Sequence, residues 1–153
     1  MKNNKVVLAF SGGLDTTYCA VYLSKIKNYE VHAVSVNTGG WDAEEVARIE
    51  KHAYALGVKS FKCIDETDNF YKTVIRFLVY GNVLKNNTYP LSVSAERISQ
   101  AMVIGNYAKA IGATAVAHGS TGAGNDQVRF DMIFHIMIPG IEIITPMQKS
   151  LKI

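Results

Sequence analysis

The feature that most constrains this chain is a pair of glycines placed directly after a buried strand. Lys5-Val-Val-Leu-Ala-Phe10 reads as a strand covered on both faces, Ser11-Gly12-Gly13 follows without a spacer, and Thr16 to Lys27 has helical spacing. A strand that turns into a helix over so few residues belongs to a layered α/β fold rather than to a bundle or a sandwich. The same alternation continues. Val31 to Val36 reads as a second strand. Asp42-Ala-Glu-Glu45 has the spacing of a capping box, with Asp42 as N-cap and Glu45 reaching back. Val46, Ile49, Ala53 and Leu56 then repeat at helical intervals up to Gly57. Val58 to Asp65 predicts a third strand and Thr67 to Tyr80 a helix, whose aromatic run from Phe70 to Tyr80 is expected in the core. Gly81 to Tyr89 predicts a loop. A long helix capped by Ser94 runs to Gly112, and Ala113 to His118 is a fourth strand. A short helix is expected from about Asp126 to His135, then a fifth strand from Ile141 to Thr145 that Pro146 ends.

These elements predict one domain over residues 1–153, an open parallel sheet of about five strands with helices on both faces, of Rossmann type. In such sheets ligands bind beyond the carboxyl ends of the strands, near the switch in strand order. Ser11-Gly12-Gly13, Thr38-Gly39-Gly40 and Gly119 to Gly124 all fall at that edge and outline a pocket.

Composition narrows the function. Hydrophobic residues make up 48% and charged residues 19%, which suits an ordinary packed core. No apolar run approaches the ~20 residues a membrane span needs, and Val6 to Phe10 is too short for a secretory leader, so a cytoplasmic protein is expected. Net charge is +3 with no adjacent Lys or Arg, and the clustered positive charge of a nucleic-acid binder is missing. Cys19 and Cys63 are far apart and read as reduced, buried thiols rather than as metal ligands.

The chemistry concentrates in Phe10-Ser-Gly-Gly-Leu-Asp-Thr-Thr17. Adjacent glycines let successive amides point inward as an anion nest, the helix start adds its dipole, and Ser11, Thr16 and Thr17 add hydroxyls. The lysine and spacing of a P-loop are missing. The plain alternative is a tight strand-to-helix turn. Asp15 reads either as a group that organises magnesium or as an N-cap.

Ser-Gly-Gly-Leu-Asp-Thr-Thr resembles the pyrophosphate loop of the enzymes that cleave ATP to AMP and pyrophosphate, among them GMP synthetase, asparagine synthetase and tRNA-thiolating enzymes. Two further segments, Tyr89-Pro-Leu-Ser-Val-Ser-Ala-Glu-Arg97 and Ala117 to Phe130, are similar to the argininosuccinate synthase family. That family is a C–N ligase. ATP adenylates citrulline to citrullyl-AMP, releasing pyrophosphate, and aspartate then displaces AMP. The resemblance implies ATP contacts at Ala9, Phe10, Ser11, Gly12, Gly13, Leu14, Asp15, Thr16 and Thr17, at Val36, and at Gly119 and Thr121, with Mg2+ on the nucleotide. It implies citrulline contacts at Tyr89, Ser94, Asn125 and Arg129, and aspartate contacts at Thr121, Asn125 and Asp126.

Each of these has a plainer reading: Tyr89 as a loop anchor, Ser94 and Asp126 as helix caps, Arg129 in a surface ion pair. Arg97 is a weaker phosphate candidate, His118 reads as structural, and Trp41 reads as a seal on its loop. Family members often carry lysine where this chain has Ala123. The family chain also continues into a synthetase domain and a C-terminal assembly helix, the whole implying a homotetramer. Residues 1–153 lack both, so this chain alone is expected to be inactive. The competing readings are another ATP pyrophosphatase, such as a tRNA-modifying one, and a non-catalytic nucleotide-binding module.

Overall fold

The computed structural model describes residues 4–122 and 124–149. Five parallel strands form one sheet: β1 (Lys5–Ala9), β2 (Glu30–Asn37), β3 (Ser60–Asp65), β6 (Ala115–Ala117) and β7 (Glu142–Ile144), in the spatial order β3-β2-β1-β6-β7. The chain starts in the middle, winds outward through β2 and β3, then returns to lay β6 against the other side of β1. The strand order therefore reverses between β1 and β6, and the segments leaving these two strands open onto a shared crevice.

Strand periodicity divides the core in two. Val6, Leu8 and Phe10 point to one face with Val31, Ala33, Ala115 and Ala117, where α1 (Leu14–Val21) and α2 (Ala43–Ala55) bring Cys19, Ala20, Ile49 and Ala53. Val7, Ala9, Val34, Val36 and Val116 point to the other, under α5 (Ser92–Ala110) and α6 (Asn125–Met137), which add Ala101, Ile104, Ala108, Phe130, Ile133 and Phe134. Full burial of a side chain such as Phe10, Leu8, Ile49 or Phe134 stabilises by about 1.5–3 kcal/mol. The sheet is thus clamped on both faces close to the crevice, which fixes where β1 and β6 end.

The expected strands and helices are present, with several corrections. The first helix starts at Leu14, earlier than the hydrophobic period suggests, and its last part, Tyr22–Ile26, widens into a π turn. Asp42 caps α2 through the Glu45 amide at 2.8 Å, but Glu45 gives its carboxylate to Arg48 at 2.6 and 2.8 Å, so the box is half made. Gly57 follows α2 with φ 94°. The helix after β3 has three parts: α3 (Thr67–Phe70), a π turn (Tyr71–Ile75) and α4 (Arg76–Tyr80). Only its start enters the core. Phe70 is buried, whereas Tyr71, Phe77 and Tyr80 are exposed, against the expectation for this aromatic run.

The expected loop contains a small antiparallel pair, β4 (Leu84–Lys85) with β5 (Tyr89–Pro90), turned by Asn86 and Asn87 at positive φ. Helix α6 is three residues longer than its apolar pattern indicates, one at its start and two at its end. Pro146 opens a short helix, α7 (Pro146–Lys149), as proline's fixed φ and missing N–H allow at a first helical position. Cys63 is only partly buried, while Cys19 is fully buried. Among the described residues no helix is long and apolar enough to cross a membrane.

Candidate functional site

A cavity of about 760 Å³ occupies the crevice beyond β1, β2 and β6. Two kinds of wall enclose it, one built from backbone turns and the other from a chain of side-chain hydrogen bonds.

The first wall is the turn from β1 into α1. Gly13 is the N-cap of α1 and has no side chain with which to satisfy the helix's first amides, which lack intrahelical partners by geometry. The Gly13 amide itself donates to Ser11 Oγ at 3.4 Å, and Thr16 Oγ1 donates to the Gly13 carbonyl at 3.1 Å. The turn needs Gly12, whose φ is 76°. A Cβ at Gly12 would meet Ile49 at 3.4 Å, so this glycine serves the turn and the α2 packing rather than a close approach from the cavity. Asp15, in the first turn beyond the cap, lines the cavity; the N-cap reading of Asp15 is therefore replaced by Gly13.

The loop after β6 closes on this turn from the other side. A Cβ on Gly119 would lie 3.2 Å from the Asp15 carbonyl carbon, the Asp15 Cβ and the Thr16 amide nitrogen, so the two loops approach as closely as a glycine permits. His118, fully buried at the end of β6, holds this loop to α6. Its Nδ1 accepts from the Ser120 amide at 3.2 Å, which leaves the proton on Nε2 to be donated to Asp131 Oδ1 at 2.9 Å. The ring stacks on Phe130 at 5.3 Å. Burial pushes the imidazole below its usual range, against a smaller upward pull from Asp131. His118 is thus a neutral structural link, as its sequence context suggests. On the buried face of α1, burial and then the Asp15 charge push the Cys19 thiol up to about 12, an unreactive state.

The second wall joins three segments distant in sequence. Thr38, just past β2, donates to Glu96 Oε1 at 2.6 Å, and Gln100 Nε2 donates to the same oxygen at 3.3 Å. Arg97 donates to Gln100 Oε1 at 2.9 Å and to Asp126 Oδ2 at 3.3 Å. Arg129 donates to Asp126 Oδ1 at 2.7 Å and to Ser94 Oγ at 2.9 Å. Asp126 therefore holds two guanidinium groups, and Gly124, not Asp126, is the N-cap of α6. Ser94 is not a cap either, because α5 already begins at Ser92; its hydroxyl steadies Arg129 instead. The two arginines and the two carboxylates, Glu96 and Asp126, balance in charge.

Most of the residues singled out from sequence meet here. Ala9, Phe10, Ser11, Gly13, Asp15, Thr16, Val36, Gly119, Thr121, Asn125, Asp126 and Arg129 all line the cavity, and so does Arg97. Trp41 lines it too while packing on the core beside α2. Five lie outside the lining. Gly12 faces Ile49, Leu14 is 84% exposed, and Thr17 bonds His52 Nε2 at 2.9 Å behind the loop. Ser94 stands behind Arg129, and Tyr89 sits in the β4–β5 hairpin, half exposed. Ala123 lies outside the described residues. Sequence reasoning missed Glu96 and Gln100, although Glu96, Gln100 and Ile104 follow at i, i+4 and i+8 along one face of α5, a readable stripe that passes from polar to apolar.

A parallel sheet wound in both directions from β1, with a glycine turn and a cavity at the switch in strand order, defines a doubly wound α/β domain with a ligand crevice. Residues 5–152 match the family model described as Arginosuccinate synthase N-terminal HUP domain, and the chain belongs to that family. It is 46% identical over 132 residues to argininosuccinate synthase of Xylella fastidiosa, covering 86% of this chain and 32% of that protein. It is 41% identical over 142 residues to the enzyme of Sulfolobus acidocaldarius, covering 93% and 36%. The Xanthomonas campestris protein is 38% identical over 152 residues, 99% of this chain and 38% of its own length. The chain thus spans about a third of these relatives. The fold is also similar to the crystal structure of a predicted subunit of tRNA methyltransferase from Methanocaldococcus jannaschii, with a TM-score of 0.64 at 19% identity, over 94% of this chain and 68% of that one.

Proposed function

We propose that the cavity binds ATP and that the chain supplies the nucleotide-binding portion of an argininosuccinate synthase. The observation that carries this reading is the close approach of the Gly119 loop to the start of α1, which sets the ends of two strands beside the uncapped first turn of that helix. The triphosphate lies along Ser11 to Thr16, where uncapped first-turn amides and the helix dipole meet negative charge. The base enters between Val34, Val36 and Ile104, the apolar end of the cavity. Asp15, Ser11 and Thr16 offer oxygen donors of the kind magnesium takes. A magnesium ion arriving on the nucleotide would keep phosphate and water ligands. When bound, magnesium would neutralise phosphate charge.

The acid–base wall receives the amino acids. Arg129 spends two of its five donors on Asp126 and Ser94, leaving others for a citrulline carboxylate. Asp126 and Asn125 flank the position for the aspartate ammonium. Joined to the rest of a full-length synthase, the domain presents the ureido oxygen of citrulline to the α-phosphorus of ATP, and aspartate then displaces AMP. The 153 residues alone are expected to bind nucleotide without turnover, since they span about a third of the synthases they match and misplacement of citrulline by ~1 Å costs roughly 100-fold.

Calorimetric titration of the 153-residue chain tests the nucleotide step. Saturable binding of magnesium ATP, tighter than AMP, is expected. Equal affinity for ATP and AMP would remove the phosphate-loop assignment. Citrulline-dependent exchange of pyrophosphate into ATP, assayed on the domain joined to the rest of a synthase, tests the chemistry.

A further inference from the structure

Glu96 is an acid on the cavity wall whose neighbours leave half of its carboxylate unused. It is half-buried on α5, and both of its donors, Thr38 Oγ1 and Gln100 Nε2, converge on Oε1. Among the described residues Oε2 receives no hydrogen bond. The adjacent cation, Arg97, turns away to Asp126 and Gln100, so the Glu96 charge has no ion-pair partner on its own wall. A carboxylate taken partly out of water and left without a cation is costly unless donors reach it.

The position indicates which donors these are. Thr38 follows directly from β2, and Val36, two residues earlier, lines the apolar end with Ile104. Along α5 the stripe runs from buried Ile104 to half-buried Gln100 and Glu96, all three lining the cavity. A nucleoside whose base lies against Val36 and whose phosphates lie on Ser11 to Thr16 carries its sugar past this stripe. Doubly wound domains commonly place an acidic side chain near the end of the second strand, where it accepts from ribose hydroxyls. Here β2 ends in Asn37 and is followed by Thr38, neither acidic, and the carboxylate at that place is delivered from α5 instead.

We infer that Glu96 accepts hydrogen bonds from the ribose hydroxyls of the bound nucleotide through Oε2, and so sets selectivity for ribonucleotides. The inference rests on the nucleotide-binding reading and adds a specificity residue to it. Thr38 and Gln100 hold the carboxylate in register for the sugar.

The test compares calorimetric Kd values for magnesium complexes of ATP and 2′,3′-dideoxy-ATP on the wild-type chain and on Glu96→Gln. Glutamine keeps an oxygen for Thr38 but replaces the second acceptor with a donor. Using the ratio of the two affinities cancels the general gain a triphosphate makes when a negative charge is removed. The wild type should prefer ATP by roughly 10-fold or more, the size of one charge-assisted hydrogen bond, and Glu96→Gln should bring the ratio near one. Thermal melts of both proteins verify that the variant is folded, and Glu96→Ala, which removes both oxygens, should give the same ratio. If ATP binds and the wild-type ratio is already near one, or if the variants retain the preference, this inference is wrong while the nucleotide reading stands. If the wild type binds neither nucleotide, both fall.

Discussion

The two walls of the cavity are made in opposite ways. The wall at the start of α1 is contiguous: residues 9 to 16 turn, cap and begin the helix, and its polarity comes from backbone amides that any side chain would leave in place. The wall between α5 and α6 is assembled from Thr38, Ser94 to Gln100 and Asp126 to Arg129, and every contact in it is side chain to side chain. The difference shows what each can hold. Fixed amides and a helix dipole suit a polyanion that comes and goes. Two arginines sharing one carboxylate, Asp126, with Glu96 balancing the net charge, suit ligands carrying both charges, such as amino acids, and offer a triphosphate little net attraction.

The sharpest way to break this comparison is to force the two loops of the first wall apart. Gly119→Val places a branched side chain where even a Cβ meets the Asp15 and Thr16 backbone at 3.2 Å. Overpacking of this kind costs about 1–3 kcal/mol, and ATP binding should fall by ~100-fold or beyond detection in a titration. Unchanged affinity would mean that the Gly119 loop does not shape the phosphate site.

Asp126→Ala acts on the second wall. It leaves Arg97 and Arg129 without their shared acceptor, at a cost of about 1 kcal/mol given that the aspartate is 40% exposed. The melting temperature should drop by roughly 2–4 °C. The ATP to AMP affinity ratio should hold, since the phosphate loop is untouched; a collapse of that ratio would show that the arginine wall carries phosphate.

His118 joins β6 to α6 and offers a pH test. Its folded pKa lies below the unfolded value of ~6.5, so above that value both states are neutral and the link contributes fully. As pH falls below ~6.5 the unfolded chain takes up a proton that the folded chain resists, and stability declines until the folded pKa is reached. Denaturation midpoints measured from pH 7.5 down to 5 should slope less in His118→Gln than in the wild type. Parallel slopes would place the pH dependence elsewhere.

The smallest effect is expected from Ser11→Ala. The Ser11 hydroxyl accepts the Gly13 amide at a long 3.4 Å, and its loss should change ATP affinity by only a few-fold, because neighbouring amides do most of the holding.

The same contrast explains what the sequence revealed. The first wall was legible because its signals are local: an apolar run, two glycines and a helix period, each tied to a backbone geometry. The five-strand sheet followed from the same alternation. The second wall was only partly legible. Asp126 and Arg129 stood out through family resemblance, yet nothing local shows that Asp126 bridges two arginines or that Ser94 faces Arg129 rather than capping α5. Those contacts exist only after α5 and α6 pack face to face. Capping was misjudged at Ser94, and the cap readings offered as alternatives for Asp15 and Asp126 fail for the same reason. Polar residues near helix starts look alike in sequence, and the turn that precedes them decides which residue takes the cap; here Gly13, Leu91 and Gly124 do. The aromatic run after β3 was misjudged because periodicity reports which residues share a face, not whether a partner covers that face.

A crystal structure of the chain with a non-hydrolysable ATP analogue and magnesium tests the division of labour most directly. The account predicts β- and γ-phosphate oxygens within hydrogen-bond distance of the amides between Ser11 and Thr16, with the base against Val36 and the Arg97–Asp126–Arg129 contacts intact. Phosphates seated on Arg97 and Arg129, with Asp126 displaced and the α1 turn empty, would contradict it.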